Sequence, residues 1–143
     1  MKKTLLTLMV LAGLGMTNCS KPGCTDIDAT NYSEKAKTND GSCNYSEKLI
    51  IWQSYSTSQL IQQAGITGIS VYVDGSLAGS FLSSNYWTGT PSCSQTGNVS
   101  ATIDMGHNKT KVVSIEYKDQ NGISLATDVV TVTAGACNTY EIQ

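Results

Sequence analysis

Apolar and polar residues alternate over much of the chain beyond residue 48, with the two-residue period of half-buried β-strands. The clearest case is Ile69, Val71 and Val73, which alternate with Ser70 and Tyr72. The dipeptide Asp-Gly follows directly and is typical of a tight hairpin turn. We therefore predict that this part of the chain consists largely of antiparallel hairpins.

Seven short strands can be placed after residue 48. They are predicted at residues 49–55, 69–73, 77–82, 99–105, 113–117, in a run ending at 129–133, and at 138–142. Short strands at this spacing, separated by turns rich in Gly, Asn and Asp, predict an all-β fold, a seven-stranded antiparallel β-sandwich of two sheets. The one helical alternative lies at residues 57–63 and has two turns at most.

The amino terminus has a different pattern. Two lysines are followed by an uncharged apolar run at residues 4–16, and then by Thr17, Asn18 and Cys19. A positive start, a short apolar run and small residues form the layout of a secretory signal. The apolar run is shorter than the ~20 residues that a helix needs to span a membrane. We therefore predict a signal peptide at residues 1–18.

The cysteine directly after the small residues makes this segment resemble a bacterial lipoprotein signal, of the looser kind found in Bacteroidetes. Met16 and Asn18 depart from the usual residues of that signal. The resemblance implies an acylated Cys19, a lipid-anchored linker at residues 19–22, and attachment to the bacterial cell envelope at the outer membrane. The alternative is an ordinary signal peptide cut nearby, in which Cys19 has no special role.

Residues 20–48 contain few aliphatic side chains, many Asp, Asn, Ser and Thr, and no sustained period. Cys24 and Cys43 bracket most of the segment, which favours a small disulfide-closed loop followed by a polar linker at 44–48. With Cys19 set aside, four cysteines remain in an exported chain, and an even number there predicts two disulfides. Four cysteines allow three connectivities.

The loop also resembles a short module of Bacteroidetes surface and secreted proteins, of the form GCTDxxAxNYxxxAxxxDGSC. The matching residues are GCTD at 23–26, then Ala29, Asn31, Tyr32 and Ala36, and DGSC at 40–43. The resemblance implies a loop module at residues 23–45, closed by a Cys24–Cys43 disulfide, and it implies no catalytic activity.

The remaining region, residues 48–143, is similar to small envelope sandwich modules of the PEGA, transthyretin-like, fibronectin-like and immunoglobulin-like kinds. The marks of this resemblance are VYVDG at 71–75, Gly79 and VTVTAGACNTYEI at 130–142, whereas the loop at 106–109 departs from it. A disulfide requires Cα atoms within about 7 Å, which pairs inside one module meet most easily. The second disulfide is therefore predicted between Cys93 and Cys137.

Charge excludes one class of partner. After residue 18 the chain has seven Lys, eleven Asp and Glu, and no Arg, so its formal charge is about −4. Without guanidinium groups it lacks bidentate phosphate ligands, and a net-negative surface repels nucleic acid. We expect no nucleic-acid partner.

Catalysis is not expected either. His107 is the single histidine, so a multi-histidine metal cluster is impossible, and it lies in a loop that we predict to be solvated. The nucleophile-elbow motif G-x-S-x-G is missing from the sequence. Acids such as Asp74 and Asp119 lie near turns, where solvation explains them. We expect no enzyme and no cofactor, with calcium as the one candidate.

The candidate calcium ligands lie in the loop module, which has the densest group of side-chain oxygens: Asp26, Asp28, Asn31, Asn39 and Asp40. Calcium takes six to eight oxygen ligands, and short side chains on a closed loop could supply several of them. The alternative is that these side chains cap turns by accepting bonds from nearby backbone N–H groups.

A second candidate site is the loop at residues 86–93, where Tyr86 and Trp87 could form a platform for a sugar ring. The alternative, which we favour, is that Trp87 closes one end of the sandwich core. Trp52, inside an apolar strand, is expected in the core.

These features predict a lipid-anchored, non-catalytic structural or binding module of the cell envelope, with the membrane as a partner through the lipid. Two alternatives remain. One is a glycan- or peptide-binding lipoprotein that uses the 86–93 loop, and the other is an accessory subunit of an envelope assembly.

Overall fold

Two β-sheets form the main part of the fold in residues 21–143, the part of the chain that the computed structural model describes. In chain order the elements are β1 (Pro22–Gly23), β2 (Thr38–Asn39), β3 (Tyr45–Trp52), α1 (Tyr55–Gln63), β4 (Gly68–Val73), β5 (Ser76–Leu82), β6 (Val99–Gly106), β7 (Thr110–Lys118), β8 (Ser124–Thr133) and β9 (Asn138–Glu141).

The strands β3 to β9 form the predicted seven-stranded sandwich. One sheet has the order β6-β3-β9 and the other has the order β5-β4-β7-β8. One pairing differs from the antiparallel prediction, because β9 runs parallel to β3, with Asn138 opposite Leu49. The reason is that β9 follows a tight turn after β8 but joins the opposite sheet, beside a strand of its own direction.

Alternation decides which side chains meet between the two sheets. In β4, Ile69, Val71 and Val73 are buried, whereas Ser70 and Tyr72 are less so. The buried side chains of all seven strands, with their flanking residues, form one core: Leu49, Ile51, Ile69, Val71, Val73, Phe81, Val99, Ile103, Met105, Val113, Ile115, Tyr117, Val132 and Ile142.

Both faces of β3 are buried. Ile51 belongs to the core between the sheets, whereas Ile50 and Trp52 alternate with it, lie outside that core, and are only 1% and 6% exposed. The loop at 83–98 lies against Ile50, since a Cβ on Gly97 would be 2.7 Å from the Ile50 side chain. Burial on both faces explains why the sequence here is continuously apolar rather than alternating. Trp52 is thus buried, as expected, on the face of β3 opposite the cluster between the sheets.

The predicted linker at 44–48 is wrong. Tyr45 opens β3 and is buried, and residues 45–48 pair with β6. This stretch is polar because Ser46 and Lys48 lie on the outer face of the sheet, so the sequence resembles a linker although the backbone is in a strand. No flexible connection therefore separates the loop module from the sandwich.

The other end of β3 also differs from the prediction, because the strand stops at Trp52 and a helix follows. Ser54 caps the helix, with its Oγ accepting a bond from the Thr57 N–H. The helical alternative at 57–63 is confirmed as part of α1. Ile61, on the inner side of α1, packs against the core.

Both predicted disulfides are present. Cys24 and Cys43 are joined with Cα atoms 4.8 Å apart, and Cys93 and Cys137 with Cα atoms 5.2 Å apart. The first closes the loop module, and the second ties the 83–98 loop to the turn before β9.

The sandwich has two distinct ends, because β3 runs from the loop module to the helix. The module end also carries the turns at 74–75, 107–109 and 134–137. The helix end carries α1, the first part of the 83–98 loop and the carboxyl terminus. Within residues 21–143, none of the helices has the length and apolarity needed to cross a membrane.

Candidate functional site

Three aromatic residues lie close together at the helix end. Tyr55 begins α1, and its ring meets that of Tyr86 edge to face, with the ring centroids 5.0 Å apart. The two tyrosines are 53% and 45% exposed. Ser54 and Trp87 form an isolated β-bridge, which places Trp87 beside this pair, and Trp87 is half-buried. We call Tyr55, Tyr86 and Trp87 the aromatic surface.

Buried Gln53 fixes the loop that carries Tyr86. Its Nε2 donates to the carbonyl oxygens of Ser83 and Asn85, at 2.8 and 2.6 Å. The main-chain carbonyl oxygen of Gln53 accepts a bond from the N–H of Trp87, at 2.9 Å. Hydrogen bonds to a buried side chain are costly to leave unmade, so this part of the loop is held in one conformation. The aromatic surface is thus preformed rather than carried on a free loop tip.

The preferred interpretation of Trp87, that it closes the core, is not what the structure shows. Trp87 is absent from the described residues that pack against the core, whereas Ile61 and Ile66 pack there from α1 and the turn that follows it. The helix covers this end of the sandwich, and Trp87 remains available on the surface.

In the loop module, Asn31 joins two distant parts of the backbone. Its Nδ2 donates to the Ser42 carbonyl oxygen at 2.6 Å, and its Oδ1 accepts from the Asn44 N–H at 2.8 Å. These bonds hold the segment on either side of Cys43 against the centre of the module. The Asn31 amide therefore connects two backbone segments, as a pair of hydrogen bonds does between two strands.

Two more side chains of the proposed calcium group cap a turn. Asn39 Oδ1 accepts from the Gly41 N–H and Asp40 Oδ1 from the Ser42 N–H, both at 3.0 Å. The bonds from Ser42 hold the pKa of Asp40 below its usual value. Residues 21–143 contain no group of three or more His, Cys, Asp or Glu side chains that could hold a metal ion. The geometry of these residues favours the turn-capping alternative over the calcium site.

The remaining two acids of the group contact a lysine from the sandwich. Lys109 Nζ lies 2.6 Å from Asp26 Oδ2 and 3.4 Å from Asp28 Oδ2, and it lies 5.9 Å from the centroid of the Tyr45 ring. The Tyr45 hydroxyl donates to Asp26 at 2.7 Å. The bonds from Lys109 and Tyr45 hold the pKa of Asp26 below its usual value, and the contacts with Asp26 and Asp28 raise the pKa of Lys109. The cation beside these carboxylates is therefore an ammonium group of the protein.

His107 is exposed, as expected, but it is not merely solvated. Its Nδ1 lies 2.7 Å from the carbonyl oxygen of Cys43. His107 and Lys109 both lie in the turn between β6 and β7. This turn is therefore where the sandwich contacts the loop module. This is the same loop, 106–109, in which the sequence departs from the sandwich modules that it resembles.

Two residues of these sites were missed by the sequence analysis. Tyr55 was placed at the end of a strand rather than at the start of a helix, and only the capping residue Ser54 could have indicated otherwise. Lys109 carries no local signal, because its partner Asp28 is 81 residues away. Cys19, the predicted lipid attachment site, lies outside the described residues.

Two of the grooves on the sandwich lie next to edge strands or the helix. One, of about 400 Å³, lies between the edge strands β5 and β6, with Asp74, Asp104 and Lys111 among its polar residues. The other, of about 240 Å³, lies between α1 and the start of β8 and is mainly apolar, with Leu60, Ile61, Ile66, Leu125 and Gln143 in its lining.

Comparison of the chain with family models, with curated proteins and with solved structures found no match.

Proposed function

We propose that the protein is a lipid-anchored, non-catalytic binding module of the bacterial cell envelope, attached to the outer membrane through acylated Cys19. The observation that carries this proposal is the position of the two ends. The described chain begins at the module end, whereas the aromatic surface lies at the helix end. The 8 residues of β3 separate these ends, which corresponds to about 26 Å of strand. A tethered binding protein needs this separation, because its ligand surface must point away from the membrane.

The roles of the titratable side chains support a non-catalytic function. Asp26 and Lys109 join the loop module to the sandwich, and Asp40 caps a turn. Asp119 accepts bonds from the N–H groups of Asn121 and Ile123, which hold its pKa below its usual value. These shifted groups are all occupied in structural contacts, whereas catalytic acids and bases face a substrate.

A glycan is the ligand class that best fits the aromatic surface. A sugar ring has an apolar C–H face and a rim of hydroxyl groups, and tyrosine offers an aromatic face with a polar hydroxyl. The two exposed tyrosine rings supply the faces, and the Gln59 amide, which donates to the Tyr55 hydroxyl, adds a polar group at the edge.

A second candidate is an accessory subunit of an envelope assembly. It is favoured by exposed apolar side chains near the groove between α1 and β8, where Leu60 is 67% and Ile123 is 62% exposed. Exposed apolar residues beside an apolar groove are typical of protein contact sites. This surface is distinct from the aromatic surface, so the two candidates can be separated by substitution.

The anchor is tested with Cys19→Ser in the full chain. After extraction from native membranes, we expect the parent protein to partition into the detergent phase and the variant into the aqueous phase, since the acyl chains supply the anchoring free energy. Ser20→Ala is the matched control and should partition like the parent. If the Cys19→Ser chain partitions into the detergent phase as the parent does, the lipid anchor is refuted.

Ligand binding is tested on an array of bacterial envelope oligosaccharides. Tyr86→Ala and Trp87→Ala should each weaken binding about tenfold, the expected effect of losing one stacked ring. Tyr32→Ala removes an exposed tyrosine of the loop module and should have no effect. Leu60→Asp should leave glycan binding intact. A chain that binds no glycan but loses its co-purifying envelope protein with Leu60→Asp would instead be an accessory subunit.

A further inference from the structure

The lysines of this chain fall into two groups by their contacts. Each lysine from residue 48 onward contacts an oxygen atom of the protein: Lys48, Lys109, Lys111 and Lys118. By contrast, Lys21, Lys35 and Lys37 are exposed, and no ion pair involves them within residues 21–143. The cations that are free to meet another molecule are therefore all at the amino-terminal end of the described chain.

Backbone pairing brings these three lysines together. The strands β1 and β2 pair in parallel, with Pro22 opposite Thr38, which puts Lys21 beside Lys37. The N–H of Lys37 donates to the carbonyl oxygen of Lys21 at 2.9 Å. Lys35 lies two residues earlier on the same segment. We call Lys21, Lys35 and Lys37 the basic face.

Two of the four acids in residues 21–44 are paired with a lysine of the sandwich. Lys109 lies between the carboxylates of Asp26 and Asp28, and Asp40 accepts a bond from Ser42. Asp40 and the exposed Glu34 make no ion pair among the described residues, so the three lysines of the basic face outnumber the unpaired acids of the loop module by one. The sandwich has an excess of negative charge, because acids outnumber lysines there and three of its four lysines are in ion pairs.

We propose that the basic face binds the phosphate groups of an anionic lipid surface, and that this contact orients the module end toward the membrane. The proposal builds on the anchor at Cys19. A single residue, Ser20, lies between Cys19 and Lys21, so an extended chain would place Lys21 within about 7 Å of the acylated residue. A chain with net negative charge is repelled by an anionic surface, and it can approach closely only with its positive face inward.

The test uses residues 19–143 with Cys19→Ser, which have no acyl chain and retain every core residue of the described structure. Binding is measured by sedimentation with vesicles of phosphatidylcholine, with or without about one third phosphatidylglycerol. We expect binding to the anionic vesicles alone, and its loss at high salt because the contact is electrostatic. Combined Lys21→Gln, Lys35→Gln and Lys37→Gln should weaken it about 100-fold, about fivefold for each lysine.

The matched control removes the same charge from the sandwich, with Lys48→Gln, Lys111→Gln and Lys118→Gln. It should bind anionic vesicles nearly as the parent does. The proposal is overturned if the parent ignores anionic vesicles, if both triple variants lose binding equally, or if free inorganic phosphate binds the basic face as tightly as the vesicles do. Because the chain used here has no lipid, these outcomes are independent of whether Cys19 is acylated in the cell.

Discussion

The loop module and the sandwich are stabilised by different interactions. The sandwich buries large apolar side chains from seven strands between two sheets. The loop module buries little apart from Cys24, Ala29 and Cys43, and its backbone is fixed by a disulfide and by Asn and Asp side chains. The comparison shows how a polar segment of about twenty residues can have a defined shape without a core of its own.

The two regions nevertheless share one apolar cluster. Cys24, Ala29 and Cys43 are continuous with Tyr45 and the core between the sheets. Lys109 and His107 add polar contacts across the same junction. The loop module is therefore better described as a cap on one end of the sandwich than as a separate domain, and the predictions below test that description.

The largest effect is expected in the sandwich core. Leu49→Ala should lower the free energy of unfolding by about 3 kcal/mol, because Leu49 is fully buried and its loss leaves a cavity. Leu77→Ala removes the same side chain from an exposed position and should change stability by less than about 0.5 kcal/mol. Denaturant unfolding measures both. Equal effects would mean that Leu49 is not in the core.

The loop-module disulfide should contribute nearly as much to the free energy of unfolding as Leu49 does. Replacing Cys24 and Cys43 by Ala removes a crosslink with a sequence separation of 19, which should cost about 3 kcal/mol. If the loop module is a cap, calorimetry of the parent should show one unfolding transition, and the variant should show one at lower temperature. Two transitions in the parent would make the loop module a separate domain.

Asn31→Ala tests the polar contacts of the loop module. The substitution removes one bond to Ser42 and one to Asn44 and should cost about 1 to 2 kcal/mol. Asn108→Ala is the control, because Asn108 is exposed and its side chain has no hydrogen bond in residues 21–143. The melting temperature of the two variants separates them. A drop with Asn108→Ala as large as that with Asn31→Ala would show that Asn31 is not a specific connection.

The sequence predicted what depends on local pattern and not what depends on distant contacts. Alternation around Ile69 and Val71 located strands, and the bracketing of a polar loop located the Cys24–Cys43 disulfide. The parallel pairing of β9 and the position of Lys109 could not be predicted, since both follow from where chain segments meet in space. The polar start of β3 was mistaken for a linker because exposed strand residues have the same composition as loops.

A smaller effect is expected from Asp26, and it depends on pH. The pKa of Asp26 is held below its usual value of about 3.9 by the bonds from Lys109 and Tyr45. The stability it contributes is therefore fully present above about pH 4 and is lost as the pH falls through the lowered pKa. Asp26→Asn should lower the melting temperature at neutral pH, and its difference from the parent should shrink in acid.

The control for this measurement is Asp40→Asn. The pKa of Asp40 is also lowered, but by bonds from Ser42 within the loop module. Both variants should lose part of the acid dependence, and only Asp26→Asn should shift the NMR signals of the Lys109 side chain. A difference between Asp26→Asn and the parent that stays constant from neutral pH to acid would show that the ion pair does not contribute.

The smallest effect is expected from calcium, which should leave the melting temperature unchanged. Asn31, Asn39 and Asp40 already accept bonds from backbone N–H groups, and the ammonium group of Lys109 lies beside Asp26 and Asp28. A cation would have to displace these partners before it gained its six to eight ligands. We therefore expect the melting temperature of the parent to be the same with added calcium as with chelator. Lys109→Gln frees the two carboxylates and is the variant in which a shift would first emerge. A calcium-dependent shift of the melting temperature in the parent that disappears with Asp28→Asn would show that the Asp and Asn side chains of the loop module do bind calcium, as the sequence indicated.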